Sequence, residues 1–167
     1  MDEIRLNTLL EDLILNIEKT VKRAKENLAS VVNNTMTETY WLIGKYIVES
    51  EQNGNIKAAY GSKLLTTLSK ELTLRLGKGY SRPNLNNMRK FYLRYPDYHS
   101  VSDKLSWSHI CELIKIDDDL ERSFYEKEAV SEKWGVRELQ RQMETALFLR
   151  LQRAVTKKEF YHWHRKE

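Results

Sequence analysis

Leu6, Leu9, Leu10, Leu13, Ile14, Ile17, Val21, Ala24 and Leu28 recur at steps of one, three and four residues, with Glu, Lys and Arg on the opposite side. That period is helical, so the chain opens with a long amphipathic helix. The stripe runs on through Val31, Thr35, Met36, Tyr40, Ile43 and Ile47, which makes residues 5–52 either one continuous helix or two helices broken near Asn33-Asn34. So long a stripe is hard to bury in a small domain. Burial against the rest of the monomer is the expected outcome, and helix-to-helix pairing of two copies, a homodimer, is the alternative.

The rest of the chain continues in the same class. Only two prolines and six glycines interrupt it, and no window alternates β-branched residues as a strand would. The fold class is all-α: a helical bundle with the long N-terminal helix and a helix-turn-helix-like segment. The chain has 167 residues, which suits one domain. Residues 1–151 are expected to form it, and the basic, aromatic residues 152–167 a tail. Gln52-Asn53-Gly54-Asn55 is a turn cluster, and a helix is expected from Ala59 to Leu76, ended by Gly77-Lys78-Gly79. Ser81 is a good N-cap with Pro83 in the first turn, and Pro96 stops the helix after Leu85, Met88, Tyr92 and Tyr95. Ser106 caps a short helix, Asp117-Asp118-Asp119 starts another, and a last one runs from Val136 to about Leu151. Trp41, Trp107 and Trp134, with Tyr40 and Tyr125, fall on apolar helical faces and are assigned to packing.

No apolar run reaches the roughly 18 residues of a membrane span, and MDEIRLNTLLEDL is unlike a secretory signal. The expected location is the cytoplasm, with no membrane partner. The lone Cys111 sits among Ile110, Leu113 and Ile114, as a small buried thiol would.

Charge placement is more informative than the net charge of +4. From Leu72 to Pro96 there is no acidic residue, while Arg75, Lys78, Arg82, Arg89, Lys90 and Arg94 supply six positive charges. If Leu85, Met88, Tyr92 and Tyr95 face the core, a rotation of about 100° per residue puts Asn86, Asn87, Lys90 and Arg94 opposite, with Arg82 at the exposed start. This mixture suits double-stranded DNA. Lys78, Lys90 and Arg94 would neutralise phosphates, and Arg82, Asn86 and Asn87 would reach base edges, where Asn can form two hydrogen bonds to adenine.

Catalytic patterns are absent. A metal-dependent nuclease of the PD-(D/E)XK kind needs two acidic ligands and a lysine, the last two as Glu-x-Lys or a close variant, and no lysine here has Glu, Asp or Gln two positions before it. His162 and His164, and separately His109 near Cys111, fall short of a four-ligand zinc site. No phosphate-binding, nucleophile-elbow or dinucleotide glycine pattern occurs. The expectation is a non-enzyme with no cofactor and no metal.

Several segments together carry a family likeness: Tyr40-Trp41-Leu42-Ile43-Gly44 with Ile47, Tyr60-Gly61, and Leu68-Ser69-Lys70-Glu71-Leu72. Gly79-Tyr80-Ser81-Arg82-Pro83-Asn84-Leu85 follows, with Met88-Arg89 and Phe91-Tyr92. Leu105-Ser106-Trp107-Ser108-His109, Arg122-Ser123-Phe124-Tyr125 and Trp134-Gly135-Val136-Arg137-Glu138-Leu139 complete the series. In this order, over roughly residues 15–150, the chain resembles the N-terminal domain of the YhcG-like family of bacterial proteins, a domain of unknown function. The resemblance implies a DNA-binding, helix-turn-helix-like module that normally precedes a nuclease-like domain, in proteins acting in DNA processing or defence. This sequence ends before such a domain, so a stand-alone module, half of a split protein and a truncated remnant all stay open. The alternative function is a protein-interaction module that dimerises or recruits a separate nuclease chain.

Overall fold

The computed structural model describes residues 2–52 and 63–154, with side chains in the first helix from Leu13 onward. Among the described residues the regular structure is all helical, with no strand. In chain order they form α1 (Asp2–Gln52), α2 (Leu64–Leu76), α3 (Arg82–Arg94), α4 (Trp107–Leu113), α5 (Asp119–Ser131) and α6 (Val136–Glu144). A 3-10 turn lies at Tyr98–Ser100, and α7 covers residues 147–154. No helix among them is long and apolar enough to cross a membrane.

Local chemistry sets most of the boundaries. Gly77 and Gly79 take φ of 86° and 113°, left-handed values that cost glycine little, and they turn the chain from α2 into α3. Ser81 caps α3 by accepting from the Asn84 N–H, with proline in the first turn. Ser106 and His109 form a reciprocal capping box on α4. His109 Nδ1 accepts the Ser106 N–H at 3.2 Å, and Nε2 lies 3.0 Å from the Trp134 carbonyl. This histidine therefore ties α4 to the start of α6. Asp118 caps α5.

α3 is the central element. Its residues Leu85 and Met88 join Ile47 in one core, packed by Tyr40, Ile43, Leu65, Leu68 and Leu72. Phe91 and Tyr95 join Leu105, Ile110, Leu113, Tyr125 and Leu139 in the other. Leu85, Met88 and Phe91 of α3 and its C-cap Tyr95 are nearly or wholly inaccessible, and each contributes about 1.5–3 kcal/mol of burial. α1 lies along α3 so closely that a Cβ added to Gly44 would stand 2.0 Å from the Met88 carbonyl oxygen. The Trp41 indole N–H donates to the Tyr95 carbonyl at 2.6 Å, and the Tyr98 hydroxyl reaches Asn34 at 2.8 Å. These contacts fix α1 along its C-terminal half.

Three expectations are corrected, and the alternative left open for α1 is decided. α1 does not break at Asn33-Asn34, because the helical backbone continues and the Asn33 and Asn34 carbonyls only gain extra donors, from Thr37 and Tyr98. The stripe from Leu13 to Val32 is not buried in the monomer: Ile17, Leu28 and Val31 are 53%, 66% and 63% exposed. Among the described residues the domain packs against α1 from about Asn33 onward. On α3, Phe91 takes the buried place expected of Tyr92, which sits half-buried with its ring edge on Trp41, because α1 covers that side. The last helix is two: Ala146 turns at φ 50°, and the Tyr125 hydroxyl holds both sides, donating to the Gln142 carbonyl and accepting the Phe148 N–H. The expected residues 53–62 and 155–167, including His162 and His164, and the side chains of Leu6, Leu9 and Leu10 lie outside the described residues.

Gly44→Val should therefore destabilise the fold by about 3 kcal/mol or more, since its branched side chain meets backbone and not a movable chain end. Gly135→Ala, where a Cβ meets nothing within 4 Å, should cost under about 1 kcal/mol in the same urea titration.

Candidate nucleic-acid interface

At about 100° per residue α3 presents three sides. Leu85, Met88 and Phe91 point into the cores. Arg82, Asn86, Lys90 and Leu93 share the side turned away from them: Arg82, Lys90 and Leu93 are exposed and Asn86 half-exposed. Lys78, in the glycine turn leading into α3, is also exposed. A shallow hollow between α2 and α3 is lined by Leu65, Arg82, Pro83 and Asn86.

Asn87 and Arg94 occupy the flank beside α4. The Asn87 amide donates to Cys111 Sγ at 3.6 Å. Arg94 pairs with the Asp117 carboxylate and donates to its carbonyl at 3.2 Å. The expected contact set is thus divided: Lys78, Arg82, Asn86 and Lys90 lie on the open side, and Asn87 and Arg94 are engaged at its margin.

The six cations of the acid-free run separate in the same way. Arg75 pairs with Glu71 at 3.0 Å, Arg89 with Glu51 at 2.7 Å, and Arg94 with Asp117. Among the described residues no ion pair reaches Lys78, Arg82 or Lys90. Charge left unpaired on an open helix face is free to meet an anion.

Asn84, unlike Asn86, is a structural residue. Its amide donates to the Gly79 carbonyl at 2.6 Å and its oxygen accepts the Trp107 indole N–H at 3.0 Å, tying the turn, α3 and α4 together. Nothing in the sequence separates these asparagines, because Trp107 lies 23 residues away.

The interior holds two further titratable groups of note. Burial pushes the Cys111 thiol up to about 11, against the lowering effect of its Asn87 hydrogen bond, so it is a thiol and not a nucleophilic thiolate at neutral pH. Burial likewise raises Glu126, which accepts the Tyr95 hydroxyl at 3.2 Å. Among the described residues no three His, Cys, Asp or Glu side chains are placed to hold a metal.

The described residues thus form an all-helical domain with one basic open face. The chain belongs to the family of the DUF1016 N-terminal domain, whose model matches residues 16–150. Among curated proteins it is similar to one of Escherichia coli (strain K12) named "Putative nuclease YhcG". The two are 35% identical over 162 residues, covering 78% of this chain and 43% of that protein. The chain spans less than half the length of that relative. No solved structure matches it.

The two asparagines are expected to behave differently on truncation. Asn84→Ala leaves the Trp107 N–H without its partner and should lower stability by about 2 kcal/mol. Asn86→Ala should stay within about 0.5 kcal/mol of the parent in the same unfolding measurement.

Proposed function

We propose that this domain is a non-catalytic, cytoplasmic DNA-contacting module in which α2, the glycine turn and α3 act as a helix-turn-helix-like unit. Its contact face is Lys78, Arg82, Asn86 and Lys90, with Asn87 and Arg94 at the edge. The observation that carries this reading is the set of three cations without ion-pair partners on one open side of α3, in a stretch with no acidic residue from Leu72 to Pro96. Lys78 and Lys90 suit phosphates as point charges. Arg82, exposed at the start of α3, and Asn86, one turn on, carry the groups that read guanine and adenine edges. The helix N-terminus adds its partial positive charge on the same side. Arg94 contributes less, because it must first give up Asp117.

The relative's name, nuclease, agrees with a module that brings such an activity to DNA in processing or defence. Cleavage itself is assigned elsewhere, because the chain lacks the Glu-x-Lys arrangement a PD-(D/E)XK centre requires.

The two phosphate contacts of Lys78 and Lys90 give a salt slope of about −1.8, so affinity for a random duplex should fall about 12-fold between 50 and 200 mM salt. Lys90→Ala should weaken binding to every sequence and flatten that slope by about one, whereas Asn86→Ala should change sequence preference. Fluorescence anisotropy with labelled duplexes reads both. Equal binding by the parent, Lys78→Ala, Arg82→Ala and Lys90→Ala would remove α3 from the DNA surface.

A further inference from the structure

The first half of α1 carries an apolar face that nothing in the described structure covers. Ile14, Ile17, Val21, Leu28 and Val31 are between 46% and 66% exposed, and Ala24 is exposed between them. A helix outside the packed domain gains little from propensity alone, and a continuous apolar face of this kind is a contact surface. Ile14, Ile17, Val21, Ala24, Leu28 and Val31 alternate steps of three and four, which is the a/d seam of a coiled coil. At about 100° per residue the seam lies roughly half a turn from Thr37, Gly44 and Val48, the side by which α1 docks onto the domain. A helix laid along it would leave that docking intact.

We infer that this seam pairs two copies of the chain as an antiparallel two-helix coiled coil. The register that sets Ile14 opposite the partner's Val31, Ile17 opposite the partner's Leu28, and Val21 opposite the partner's Ala24 gives every seam residue an apolar counterpart. The charges beside the seam select that register. Glu18 and Lys25 flank it, are exposed, and have no ion-pair partner among the described residues. In this arrangement Glu18 lies between the same two layers as the partner's Lys25, and symmetry repeats the pair. Sliding one heptad in either direction brings Glu18 onto the partner's Glu18 or Lys25 onto the partner's Lys25. A parallel pair places Glu18 beside the partner's Leu13 and Lys25 beside the partner's Thr20, with no charge matched. The occupant is therefore a second copy, and its direction is set by two oppositely charged flanking residues.

Analytical ultracentrifugation of the 167-residue chain tests this. The parent should dimerise, and Val21→Asp should be monomeric with unchanged helicity. Glu18→Lys and Lys25→Glu should each weaken the dimer about tenfold, because two attractive pairs become repulsive. The double variant, and an equimolar mixture of the two single variants, should regain the parent's affinity. A parent that stays monomeric at about 200 µM, a concentration that captures even weak pairing, would overturn the inference. So would a dimer that survives Val21→Asp, or one indifferent to the charge changes.

Discussion

Two helix backbones meet where Gly44 of α1 lies against the Met88 carbonyl of α3, at a distance no side chain could share. The close approach lets Ile47 sit with Leu85 and Met88 in one core, while Trp41 reaches across to hydrogen-bond the Tyr95 carbonyl. From there Phe91 and Tyr95 carry α3 into the second core, where α4, α5 and α6 assemble. α3 thus serves both cores, and its orientation determines which residues remain at the surface.

That commitment narrows what α3 can offer a ligand. With Leu85, Met88 and Phe91 buried, and α1 and α4 on its flanks, one strip of the helix stays open. Arg89 and Arg94 lie beside that strip and are held by Glu51 and Asp117. The Asp117 side chain is 91% exposed, so this pair is weak and contributes mostly by placing Arg94. Lys78, Arg82 and Lys90 have no ion-pair partner among the described residues. A field of three like charges on one face favours polyanions and acts over about a Debye length.

The sequence made legible what local chemistry controls. The caps at Ser81, Ser106 and Asp118 and the glycine turn at Gly77 and Gly79 stand where the residue types place them. The family likeness and the all-α class likewise follow from residues in order. What escaped it depends on contacts between distant residues. The length of the leucine and isoleucine stripe signalled that it is hard to bury, but the stripe does not say which part the domain covers, so the exposure of the first half of α1 came only with the fold. Phe91 and Tyr92 are both aromatic, and only the position of α1 decides which is buried. The turn at Ala146 has no glycine to announce it, because Tyr125 imposes it from α5. In the candidate site the acid-free run was visible, but Glu51 lies 38 residues from Arg89 and Asp117 lies 23 from Arg94. Only the fold shows which cations those carboxylates occupy.

Whether the open side of α3 is the DNA surface is tested most directly by a residue-resolved amide NMR titration of the chain with a short duplex. A DNA-contacting α3 gives shifts concentrated in the turn from Gly77 to Ser81 and along Arg82, Asn86 and Lys90, fading as salt rises, with the buried Phe91 side of α3 little changed. Shifts centred on other elements, or none at low salt, would contradict it.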